Sequence, residues 1–121
     1  MRIKMSPIIN HYEFGKIEID DKIYTSDLKI ICGKIVPNWW RKEGHNLCLE
    51  DINDVLSYNP EKIIVGCGTS SAMKVENEVI QYCRKNNIDL LILDTYEAVS
   101  YFNKLTPQEV KKSALCLHLT C

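Results

Sequence analysis

From residue 16 onward, Ile17 and Ile19 alternate with Lys16 and Glu18, the two-residue period of a half-buried strand. Asp20-Asp21 supplies turn chemistry and Ile23-Tyr24-Thr25 resumes on the far side, which predicts a hairpin. Residues 28–36 form a further β-rich run, interrupted at Gly33, where a bulge or bend is expected, and closed by Pro37. After a loop over residues 38–48 the period becomes helical. Leu49, Ile52, Val55 and Leu56 lie three or four apart, and Asn59-Pro60 ends the pattern. Residues 62–65 are a compact apolar strand that runs into Gly66-Cys67-Gly68-Thr69. Val75, Val79, Ile80 and Cys83 then read as the inner stripe of a longer helix, and residues 89–93 as the next buried strand.

Strand, helix and strand with unbroken apolar strands predict a parallel, right-handed crossover buried on both faces. Asp94 and Glu97 have the spacing of a capping box before a helix carrying Ala98, Val99 and Phe102. Thr106-Pro-Gln-Glu109 repeats the device with proline at the first helical position. Residues 115–119 place three leucines on one face and Cys116 and His118 on the other, as a strand covered on both sides does.

At 121 residues, with 45% apolar and 26% charged positions, the chain is expected to fold as one domain over residues 1–121 around its own core. The formal charge of -1 gives no global pull toward phosphate backbones, so nucleic acid is not an expected partner. No apolar stretch is long enough to span a bilayer and no apolar signal core follows the basic residues at the start, so no membrane is expected and the expected location is cytoplasmic. The six cysteines Cys32, Cys48, Cys67, Cys83, Cys116 and Cys121 are widely spread and mostly embedded in apolar runs. They read as buried free thiols rather than a disulfide framework.

Two loops concentrate the candidate chemistry. In Gly66-Cys67-Gly68-Thr69-Ser70-Ser71, at the end of a strand, glycines allow close backbone approach and free N–H groups can hold an anion; the plainer reading is a tight turn that needs glycine. Cys67 there is either a small buried hydrophobe or, with His45 or His118 as base, a thiolate nucleophile. The second loop, Trp39-Trp40-Arg41-Lys42-Glu43-Gly44-His45, holds both tryptophans. One tryptophan is expected to pack and the other to line a groove with Arg41 as an anion-binding neighbour, unless the pair forms a purely structural lid. His45-x-x-Cys48 and His118-x-x-Cys121 formally offer four zinc ligands, but positions three apart on a strand point to opposite faces, so no metal is expected. Asp20-Asp21 reads as a turn, Glu50-Asp51 as a helix start and Lys111-Lys112 as a solvated face.

Taken together, Tyr12-Glu-Phe-Gly-Lys-Ile17, the Trp39 to His45 string, Ile64-Val-Gly-Cys-Gly68, Thr95-Tyr-Glu-Ala-Val99 with Tyr101-Phe-Asn-Lys-Leu105, and Leu117-His-Leu-Thr-Cys121 resemble one family across nearly the whole chain. It is the small-domain family of unknown function that includes mitochondrial complex I assembly factor 3 and the adipogenesis-associated domain protein. The resemblance implies a three-layer α/β domain: a central mixed sheet with its last strand antiparallel to the rest, helices on one side, and the N-terminal β-hairpin region plus a helix on the other. Many relatives carry threonine at the position of Cys67, which weakens an essential role for that thiol. The family has no established reaction, so the resemblance supplies no catalytic residue, and its best-known member acts by association with other proteins.

Three functional readings follow. The favoured one is a non-catalytic protein-binding or assembly module that uses a groove between residues 39–45 and 66–71. The second is a small-anion-binding protein or enzyme, with the ligand held by the backbone of the 66–71 turn and by Arg41. The site residues expected under either reading are Trp40, Arg41, His45, Gly66, Cys67, Gly68, Thr69 and His118, with no catalytic set and no cofactor. The third is self-association through an edge strand, and the sequence leaves the oligomeric state open.

Overall fold

The computed structural model describes residues 6–121; the basic opening at positions 1–5, read above for a signal core, lies outside the described residues. Strands β1 (Ile9–Glu13), β2 (Lys16–Ile19) and β3 (Lys22–Tyr24) form a three-stranded antiparallel sheet. Asp20 and Asp21 make the expected β2–β3 turn, both at positive φ, a conformation that aspartate tolerates in tight hairpins. β1 lacks a two-residue period because its pairing slips between Ile9 and His11, so Ile9 and Tyr12, three apart, both face the core.

The central sheet is mixed, with strand order β5-β4-β10-β7-β9. Its members are β4 (Leu28–Ile31), β5 (Lys34–Val36), β7 (Lys62–Gly66), β9 (Asp89–Leu93) and β10 (Ser113–Leu117). The expected irregularity at Gly33 is a hairpin turn rather than a bulge: Cys32 and Gly33 both take positive φ and send β5 back antiparallel along β4. β10 is antiparallel to β4 and parallel to β7, and β7 is parallel to β9. The strand that runs against the others is therefore β4, antiparallel to β5 and to β10, and β10 runs with β7 and β9 rather than against them.

One face of this sheet carries the three-stranded sheet together with α3 (Thr95–Asn103) and α4 (Pro107–Lys111), closing a core around Ile17, Ile19, Ile64, Phe102, Leu115 and Leu117. Both helices begin at the predicted caps: the Asp94 side chain accepts from Glu97 N–H, and Thr106 and Glu109 form a full capping box. The other face is covered by a 3₁₀ turn (Leu49–Ile52), α1 (Asn53–Ser57) and α2 (Asn77–Lys85), over Ile63, Val65, Ala114 and Cys116. Val75 is not part of the α2 stripe. It lies in a short strand, β8 (Lys74–Val75), parallel to β6 (Asn46–Leu47), and the helix begins only after Glu76. The crossover from β7 through α2 to β9 joins parallel strands as read, but only β7 is covered on both faces. β9 is the sheet edge, and its Ile92 is 45% exposed.

Candidate functional site

The two loops singled out in the sequence, 39–45 after β5 and 66–71 after β7, lie at the end of the sheet where β7 and β10 finish and where open α/β folds place ligands. Trp39 is the packing tryptophan. It is 6% exposed, its indole N–H donates to the Asp51 carbonyl (2.9 Å), and the ammonium of buried Lys29, itself paired with Asp54, lies 5.4 Å from its ring. Trp40 is 81% exposed and stands on the wall of a cleft of about 380 Å³ together with Asp27, Arg41, His118 and Thr120.

Below that wall lies a network centred on Asp27, a residue the sequence did not mark. One carboxylate oxygen accepts from the Leu119 N–H (2.7 Å); the other accepts from His118 Nδ1 (2.8 Å) and lies 2.9 Å from Arg41 Nη1. Burial acts to raise the Asp27 pKa, but the hydrogen bonds from His118 and Leu119 and the nearby cations outweigh it and hold the carboxyl below its ordinary range. An ionised carboxylate only accepts, so the His118 proton is assigned to Nδ1. Arg41 Nη2, 3.1 Å from that nitrogen, donates to the Gly44 carbonyl (2.6 Å). His118 Nε2 is left facing the Thr120 hydroxyl at 3.3 Å. Arg41 also stacks on Trp39, with its guanidinium carbon 4.6 Å from the ring centre. The guanidinium is thus neutralised by Asp27 and held by the Trp39 ring and the Gly44 carbonyl, a rigid floor rather than an open anion hook.

The 66–71 turn does not line this cleft, and most of its backbone donors are committed. Cys67 N–H goes to the Leu93 carbonyl, Gly68 N–H to Thr95 Oγ1, Thr69 N–H to the Thr120 carbonyl, Ser71 N–H to the Gly68 carbonyl, and the adjoining Ala72 N–H to the Cys121 carbonyl. The tight turn favoured by the sequence is there, and in place of the alternative anion it holds the backbone of residues 120 and 121. Thr95, fully buried, ties the two sides together by also donating to the His118 carbonyl (2.7 Å). Gly66 is packed beneath Leu117 and Ala98.

Cys67 is 2% exposed, and burial pushes its thiol up to about 11 against a weaker opposing pull from Arg41. It sits as a small hydrophobe among Val65, Met73 and Trp39. Iodoacetamide at about pH 8 is expected to leave Cys67 unmodified in the folded protein and to label it on unfolding in urea, as peptide mass mapping would read. Rapid native labelling would restore it as a nucleophile.

His45 is exposed, its ring edge-on to His118 with centroids 5.6 Å apart and its Nε2 3.6 Å from Cys121 Sγ. The other members of the formal zinc set are turned elsewhere: Cys48 donates to Asp51 at the start of the 3₁₀ turn, and His118 is bonded to Asp27. Sequence reasoning missed Asp27 and Thr95. The available signal was Arg41 itself, because a cation beside a packing tryptophan needs a carboxylate, and Asp27 directly precedes an apolar strand.

Among the described residues, no helix is long and apolar enough to cross a membrane. Three solved structures share the fold. A conserved hypothetical protein from Pyrococcus horikoshii is 21% identical, with 93% of this chain and 98% of that one covered and a TM-score of 0.77. An outer membrane protein from Bartonella henselae is 22% identical, with 96% and 97% covered and a TM-score of 0.78. A Bordetella pertussis protein described as a Mth938-like domain is 14% identical, with 97% and 88% covered and a TM-score of 0.59. At these identities the likeness is one of fold. A family model described as "Protein of unknown function (DUF498/DUF598)" matches residues 9–118, nearly the whole described chain, and the protein belongs to that family.

Proposed function

We propose that this domain is a non-catalytic binding module that recognises a protein partner through Trp40 and the cleft beside it. The observation that carries the reading is the contrast within the tryptophan pair: Trp39 is buried in the core, whereas the next residue keeps a large indole 81% exposed beside a cleft of about 380 Å³. An exposed indole on a rigid, hydrogen-bonded floor combines large contact area with little conformational entropy to lose, the profile of an interface anchor. The pairing of Arg41 with Asp27, and the bonds from the 66–71 turn to the carbonyls of residues 120 and 121, weigh against a small anion as the principal ligand.

The test is native mass spectrometry of the protein purified gently from its own cells, as wild type and as Trp40→Ala. The wild type is expected to retain a stoichiometric protein partner that Trp40→Ala loses, while the stability of the variant stays within about 0.5 kcal/mol because the side chain is exposed. A retained small anion without a protein partner, lost on Arg41→Ala, would overturn the proposal in favour of a ligand pocket.

A further inference from the structure

The two edges of the central sheet are unlike. β5 is three residues long and opens on exposed Lys34, whereas β9 has five residues with charge only at Asp89. Short edges bearing lysine resist pairing; a longer apolar edge invites it. The hydrogen bonds to β7 fix which groups of β9 are open. Asp89 N–H donates to the Glu61 carbonyl and the Leu93 carbonyl accepts from Cys67 N–H, so odd-numbered residues address β7. Leu90 and Ile92 therefore turn their N–H and C=O groups to the open edge. Their side chains lie on the α2 face, where Ile92 is 45% exposed and a groove of about 310 Å³ runs between the edge and Ile80, Cys83, Arg84 and Ile88.

We propose that this edge is a homodimer interface, in which a second copy of the chain pairs antiparallel with β9 about a two-fold axis at Leu91. Leu90 then exchanges both backbone hydrogen bonds with Ile92 of the second copy, and Ile92 with its Leu90, which uses the outward groups in a self-complementary register. The same register sets Asp89 opposite Leu93, so the edge carboxylates do not meet. It sets Asp94 of the second copy opposite Ile88, beside Arg84, whose guanidinium has no carboxylate partner among the described residues. Apolar contact, backbone pairing and charge thus agree on one occupant and one alignment.

Sedimentation equilibrium at about 100 µM, a concentration suited to a small interface, is expected to give twice the 14.0 kDa chain mass. Ile92→Lys, which places two ammonium groups in the seam, is expected to weaken the dimer at least about tenfold. Ile23→Lys, at a 54% exposed site on the other sheet, should leave it unchanged. Because the two Leu91 residues meet as a non-hydrogen-bonded pair, Leu91→Cys is expected to give a covalent dimer on mild oxidation. Ile35→Cys on β5, in the otherwise wild-type chain, should not. A monomeric wild type, or a dimer that ignores Ile92→Lys and does not cross-link through Leu91→Cys, would overturn the proposal.

Discussion

Gly68→Ala is expected to cost more than about 4 kcal/mol, enough to unfold much of the protein at room temperature. A Cβ at this position lies 2.3 Å from the Cys121 carbonyl carbon, 2.4 Å from its oxygen and 2.8 Å from the Thr120 carbonyl oxygen. All three are backbone atoms pinned by hydrogen bonds from Thr69, Ser70 and Ala72, so no flexible side-chain end can give way. The residue also sits at φ +104, which alanine adopts only under strain. Urea unfolding followed by circular dichroism reads the loss, and Gly44→Ala, whose Cβ meets open space, is the matched control with little change. A wild-type midpoint for Gly68→Ala would mean that residues 119–121 do not lie on the turn in solution.

Asp27→Ala is expected to destabilise by about 3–5 kcal/mol, the usual cost of stranding a buried charge. The Arg41 and His118 side chains are 3% and 6% exposed and both rely on this carboxylate, and the Leu119 N–H loses its acceptor as well. The pH dependence has a definite sign. The folded-state pKa is held below the ordinary 3.8, because the bonds from His118, Leu119 and Arg41 outweigh burial. The carboxylate therefore contributes its full stability above about pH 4, and that contribution is lost as pH falls through the folded-state value. The gap in urea midpoint between wild type and Asp27→Asn is expected to be largest near about pH 7 and to shrink toward about pH 3. A gap independent of pH would show that the Asp27 charge is not what secures the network.

Elements with strong local chemistry were readable in the sequence. The Asp20-Asp21 hairpin, the caps at Asp94 and Thr106 and the apolar strands β7 and β10 all announce themselves through period or turn residues, whereas the mixed three-layer architecture came from the family resemblance. β1 stayed silent because its bulge destroys the alternation, and Val75 was drawn into the α2 stripe because one apolar residue at helical spacing cannot be told from a short strand. At the site, the aromatic and cationic residues of the 39–45 loop were visible, and so was the glycine demand of the 66–71 turn. What occupies that turn was not. A glycine-rich loop with free-looking N–H groups reads the same whether the acceptors are an anion or a neighbouring stretch of backbone fifty residues away. Asp27 was hidden for the same reason: its partners Arg41, His118 and Leu119 are brought to it only by the packed sheet.

The position of β10 bears on how the molecule can be made. It is the middle strand of the central sheet, hydrogen-bonded on one side to β4 and on the other to β7, yet it follows both in the chain. Without β10 the pairs β5-β4 and β7-β9 have no strand to join them, and each leaves unpaired backbone along the slot between them. The sheet closes only when residues 113–117 have left the ribosome, and the turn at Gly68 receives its strand of backbone later still. Completion of this sheet therefore waits for a strand made after all its other members, and until then the slot is what a chaperone, or an aggregating neighbour, would find.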